Sequence, residues 1–270
     1  MTPSISEFSY GYALTNEVVK LLGTSIAGAP QFPTLYAEGQ AGGGYDVKIV
    51  GGSPVFLQFK LSHHMVRSNC KEYELMGGPY YRWHLHSLQR SDQHNLLLDL
   101  ESKGNLVLYT APMFHEAAEL NRHFLHDGIL DNSAAFLPSD IGPLPDEKDH
   151  YMVFNRAGVV HRCSEDPVPA KFHILSRFLQ DQVNKPAPRS LEAGGVIKLG
   201  DQIVEAVKVA RSRRSQDSVS RPSEIDTEEL SKVIRARPSL ETLSLISRTV
   251  LDSELLVINP QWQRTPKHSP

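Results

Sequence analysis

The chain has 270 residues and a formal net charge of −3, with 40% hydrophobic and 22% charged residues. That balance suits a globular protein with a real core, built as one large domain or as a medium domain with an appendage. It excludes a membrane-embedded chain, since no apolar run approaches the ~18 residues of a spanning helix. It also counts against a broadly basic nucleic-acid coat.

The start, MTPSISEFSYGYALTNE, lacks the basic lead and apolar stretch of a signal peptide, so the expected location is the cytoplasm. Ser6 to Leu22 reads as an amphipathic helix marked by Phe8, Tyr12, Val18, Val19 and Leu22, with Gly23 ending it. Residues 24–44 are rich in Gly, Ala and Pro and read as loop. Two strand-like runs follow, YDVKIV (45–50) and VFLQFKL (55–61), joined by GGSP as in a hairpin. SDQHNLLLDLE (91–101) reads as a helix capped by Ser91 or Asp92. NLVLYTAP (105–112) is a strand, 114–126 a helix and AAFLP (134–138) another strand. HYMVFNRAGVVHRCS (150–164) reads as a second hairpin turning around Asn155 to Gly158.

After Pro167 the character changes. FHILSRFLQDQV (172–183) and GVIKLGDQIVEAVKVARSR (195–213) read as helices, separated by Pro186 and Pro188. Residues 212–224 form a polar linker. Helices over TEELSKVI and SLETLSLISRTVL lead to a strand-like ELLVIN (254–259). The expected organisation is an α/β domain over 1–185, with a mixed central β-sheet flanked by helices, and a mostly helical region over 186–270. That region either docks a partner or a second copy through 195–213 and 238–251, or packs back on the core. The distant Cys70 and Cys163, outside any CxxC pair, argue against a structural zinc site and a disulfide framework.

The chemistry follows from strand register. In 55–61, Val55, Leu57, Phe59 and Leu61 form one face, and Phe56, Gln58 and Lys60 the other. In 45–50, Val47 and Ile49 are apolar, and Asp46 and Lys48 point the other way. Matching the apolar faces puts Asp46 on the same face as Gln58 and Lys60; direct pairing of the two strands requires an odd turn or a bulge. An aspartate oxygen suits a hard divalent cation. A glutamine carbonyl adds a neutral donor, and lysine adds a point charge that steers a water or offsets charge on a phosphate. One carboxylate holds magnesium weakly, so another acid or the substrate phosphate must complete the shell. The bland alternative is plain polar surface, but a strand this apolar should be covered, and its polar residues then need partners.

Asp46, followed after eleven residues by Gln58-Phe59-Lys60, resembles the PD-(D/E)xK nuclease superfamily, in its Mrr-like D…QxK variant. The resemblance covers roughly residues 8–138, with Tyr45 standing where the superfamily has proline. It implies a restriction-endonuclease-like core and a Mg2+-dependent (or Mn2+-dependent) endonuclease acting on DNA, in restriction or anti-phage defence. It implies Asp46 and Gln58 at the metal with Glu17 of the first helix, or Glu38, as a further acid, and Lys60 assisting the attacking water. RNA stays open as a substrate.

From Lys60 to Arg90 basic residues outnumber acids, and His63, His64, Arg67 and Lys71 are the expected phosphate contacts; ordinary solvated surface is the alternative. His84 and His86 alternate with Arg82 as in a strand, without a third metal ligand at fixed spacing. Gln93 or His94 could face the cleft. There is no P-loop, GxSxG or GxGxxG. The competing reading is a nuclease-like module without activity that binds nucleic acid or a protein.

Overall fold

The computed structural model describes residues 1–22, 53–91, 93–183, 193–212, 226–251 and 254–258. Helix α1 (Glu7–Leu22) precedes β1 (Ser53–Phe59), β2 (His63–Met65), α2 (Tyr73–Met76) and β3 (Tyr80–Leu85). Then come α3 (Gln93–Ser102), β4 (Leu106–Pro112), α4 (Ala117–Leu125), β5 (Ser133–Phe136) and α5 (Pro138–Ile141). Strands β6 (His150–Phe154), β7 (Val160–Cys163), β8 (Val168–Pro169) and β9 (His173–Ile174) lead to α6 (Leu175–Val183). Helices α7 (Ala193–Ser212), α8 (Thr227–Ala236) and α9 (Leu240–Leu251) and strand β10 (Glu254–Ile258) complete the described chain.

The fold is α/β with two sheets. Sheet A runs β10-β1-β4-β5-β9 and is mixed, with β1 and β4 parallel; sheet B runs β2-β3-β6-β7-β8 and is antiparallel throughout. Sheet B is made by two excursions from sheet A. The chain leaves after β1 to form β2, α2 and β3 and returns through α3 to β4; it leaves again after β5 to form β6 to β8 and returns at β9. The β6–β7 hairpin turns where its residues require it: Gly158 has φ +92° and the Asn155 side chain accepts from the Ala157 and Val159 amides, both at 3.0 Å.

Strand alternation splits the core. Phe56, Val107, Tyr109 and Phe136 of sheet A pack against Trp83, Leu85 and Phe154 of sheet B and Leu97 and Leu100 of α3. Trp83 lies 5.2 Å from Tyr109 and 5.5 Å from Phe136, ring to ring. On the opposite face Val55, Leu57, Leu108 and Ala135 meet Tyr10, Leu14 and Val18 of α1 and Leu175 and Leu179 of α6. Burial of these side chains is the main stabilising contribution, at roughly 1.5–3 kcal/mol each.

One expectation changes, and one left open is decided. Over 55–57 both edges of β1 are taken, by β4 and by β10, so β1 is an interior strand there rather than the second arm of a hairpin. Segment 45–50, expected as the first arm, lies outside the described residues, as do the loop over 24–44 and the linker expected over 212–224, apart from Ser212, which ends α7. The C-terminal helices and strand share the main core: Ile203 and Val207 of α7, Ile234 of α8, Leu243 and Leu251 of α9 and Leu255 of β10 belong to the same cluster as Phe56 and Trp83. Among the described residues, no helix is long and apolar enough to cross a membrane.

Candidate functional site

Gln58 and Lys60 project from the end of β1 on the face that carries Phe56, as an alternation of two requires. Gln58 is only 3% exposed, so its amide needs partners. Its Nε2 donates to the Phe59 carbonyl at 3.2 Å, which turns Oε1 toward Gln93 at the start of α3. Gln93 Nε2 donates to that oxygen at 2.9 Å, and Gln93 Oε1 accepts from Lys60 Nζ at 3.0 Å. An ammonium can only donate, so the polarity of the whole chain is set from one end. Ser91 Oγ accepts from the Gln93 amide at 3.3 Å; Asp92, the other expected cap, lies outside the described residues.

Below this chain sits a second one. His94 is 3% exposed, and its Nε2 lies 2.8 Å from the Gly142 carbonyl, which can only accept. The proton is therefore on Nε2, and Nδ1 accepts from the Tyr109 hydroxyl at 3.1 Å. Burial pushes the His94 pKa down to about 4, against the opposing hydrogen bond to Gly142, so the ring is neutral at neutral pH. Lys60 Nζ stands 6.0 Å from the centroid of the Tyr109 ring. Lys60, His86, Ser91, Gln93 and Tyr109 line one small cleft.

Asp46 and Glu38, the acids expected at a metal, lie outside the described residues. Among the described residues, no three His, Cys, Asp or Glu side chains are grouped as a metal ion requires. The described donors in the chain are amide oxygens, with an ammonium beside them. Glu17 is not brought to Gln58 and Lys60. It is 6% exposed, and its carboxylate accepts from the Ile129 and Leu130 amides at 2.9 and 2.5 Å. Its helix α1 packs on the other face of sheet A, with Val55 and Leu57.

The expected phosphate contacts do not share one face. His63 stands opposite Arg82 across β2 and β3, whereas His64 turns the other way, stacking on Tyr81 at 4.7 Å and lying 4.9 Å from His115. Arg67 is exposed in the turn before α2, and Lys71 Nζ donates to the Ser164 carbonyl at 2.8 Å. Burial and neighbouring positive charge, Arg82 for His63 and His84 and Lys60 for His86, hold both histidines below the usual pKa.

The sequence reading missed Tyr109, Tyr151 and Asp149. Asp149 accepts from the Ser87 amide at 3.1 Å and lies 3.3 Å from His84 Nε2 and 3.6 Å from Arg90. Burial opposes its ionisation, but the Ser87 amide, His84 and Arg90 outweigh that and lower its pKa. The alternation of Arg82, His84 and His86 was a signal for one shared face; nothing local in the sequence linked that face to residues 149–151.

No protein-family model, no curated protein and no solved structure matches the chain.

Proposed function

We propose that the protein is a metal-dependent nuclease that hydrolyses phosphodiester bonds of DNA, on a restriction-endonuclease-like core of the PD-(D/E)xK superfamily. The observation that carries this reading is the meeting of Gln58 and Lys60 on one face, with Gln93 bridging them. The passage from β1, by way of the β2-α2-β3 excursion and α3, to the parallel β4 supports it, since the QxK segment at the end of β1 is followed downstream by a helix that leads into the neighbouring strand. Asp46 and Gln58 would hold Mg2+ or Mn2+, with Glu38 or the substrate completing the shell. A carbonyl oxygen accepts twice, so the bond from Gln93 and a cation are compatible on Gln58. When bound, the cation supplies Lewis acidity at the scissile phosphate. Lys60 orients the attacking water and offsets charge developing on the phosphate. A cytoplasmic role in restriction or anti-phage defence belongs to the same proposal.

Incubation with supercoiled plasmid and with linear DNA, with Mg2+ or Mn2+, tests it. Wild-type protein is expected to cleave, and Lys60→Ala to cleave at least about 100-fold more slowly. Equal cleavage by the two removes Lys60 from the mechanism. DNA binding without cleavage under either metal favours the inactive binding module, which the neutral character of Gln58 also suits.

A further inference from the structure

The outer face of sheet B carries a row of four π systems that runs into the cleft. The Arg82 guanidinium lies 4.8 Å from the Tyr151 ring centroid, Tyr151 lies 5.0 Å from His84, and His84 lies 4.5 Å from His86. Register builds the row. His84 and Tyr151 are direct cross-strand partners on β3 and β6, and Arg82 and His86 flank His84 at intervals of two. The other half of this face is closed by α2, through Met76, Tyr80, Val153 and Cys163. The row itself is open: the side chains of Arg82 and His84 are 29% and 30% exposed, Tyr151 is partly exposed and His86 is exposed.

The row ends where Lys60 and His86 line one cleft. Arg90, 64% exposed, stands beside it through Asp149. Asp149 also faces His84, and the buried Glu72 lies 3.8 Å from Arg82, so these acids moderate the charge and hold the cations in place. A surface of adjoining rings, tilted or edge-on to one another and flanked by cations, offers π systems to bases and positive charge to phosphates. Bases in a duplex hide their faces against one another, and only an unpaired strand presents them.

We infer that the outer face of sheet B is a platform for single-stranded nucleic acid, with bases stacking along Tyr151, His84 and His86 and the backbone meeting Arg90 and Lys60. The inference rests on the nuclease reading only for what happens in the cleft; the binding stands apart from it.

Fluorescence anisotropy of labelled oligonucleotides of about 16 nucleotides, in EDTA so that no metal-dependent cleavage occurs, tests the platform on the full-length chain. The probes are single-stranded DNA, single-stranded RNA and duplex DNA of one sequence. At least one single strand is expected to bind about tenfold or more tightly than the duplex, and a difference between DNA and RNA reports the 2′-hydroxyl. Tyr151→Ala and His86→Ala are each expected to weaken single-strand binding about tenfold, and Tyr151→Phe to keep it. Arg90→Ala is expected to reduce the slope of log affinity against log salt by about 0.7. Duplex bound as tightly as the tighter-binding single strand overturns the platform, and so does unchanged single-strand affinity in His86→Ala, which alters an exposed residue and so decides the matter if Tyr151→Ala fails to fold. Single-strand binding with no cleavage of these oligonucleotides, of plasmid or of linear DNA when Mg2+ or Mn2+ is restored leaves the platform standing and removes the nuclease reading.

Discussion

Lys60, the residue directly after β1, donates a 3.0 Å hydrogen bond to the side-chain oxygen of Gln93, the first residue of α3. This bond ties the ammonium to the helix and, through the same amide, to Gln58 on its own strand. A long flexible cation is thereby held in one place, which is what a positioned charge at a reacting phosphate requires.

Gln93→Leu keeps most of the volume but removes both links. It is expected to slow DNA cleavage about tenfold or more, with a smaller effect than Lys60→Ala. Its stability cost is expected to be about 1–3 kcal/mol, because Gln58 loses a partner in a buried setting. Cleavage rates alongside urea unfolding of the same samples separate the two effects, and an unchanged rate would show that Lys60 does not need the bridge.

Acid should destabilise the protein through His94. Its folded pKa of about 4 lies below the ordinary value near 6.5, so the unfolded chain binds more protons between those limits. The stabilising effect is full above about pH 6.5 and is lost as the pH falls toward 4, at up to about 1.4 kcal/mol per pH unit. His94→Gln, which cannot titrate, should flatten this dependence in urea midpoints taken between pH 7 and 5. An identical slope in the variant would assign the pH effect elsewhere.

Glu17 is predicted to matter for stability rather than for metal. Removing its carboxylate strands the Ile129 and Leu130 amides in a buried site, and Glu17→Ala should cost about 2–3 kcal/mol. The Mg2+ concentration giving half-maximal cleavage should not move in folded Glu17→Ala. A large rise in that concentration would return Glu17 to the metal.

Gly200 lets α7 approach α8 closely. A Cβ there would stand 2.5 Å from Ile234 Cγ2 and 3.2 Å from Leu243 Cδ2. Gly200→Ala should destabilise by about 1–3 kcal/mol. Adding Ile234→Ala should cost less in that background than in the wild type, because the clash is relieved. Strict additivity of the two in urea unfolding would show that the helices do not meet there.

Local pattern carried much of the fold. The helices over 7–22, 93–102 and 193–212, the strand over 106–112 and the turn between Asn155 and Gly158 were all legible from apolar spacing and turn chemistry. The long insertions were harder. Strand β2 has three residues and α2 has four, too few for a period to show. At the candidate site, the common face of Gln58 and Lys60 was legible because side chains two apart on a strand must point the same way. That Gln93 would be the bridge was not, because it depends on how α3 is rotated against β1.

The sequence by itself determined which residues of each element face together, since backbone geometry imposes that within a few residues. Only the tertiary structure decided who their neighbours are. It set β10 against β1 across about two hundred residues of chain, placed Tyr151 beside His84 and turned Glu17 to the far side of sheet A. Those pairings come from burying apolar faces against one another over long separations, and burial of apolar area is non-directional, so no short stretch of residues encodes its partner.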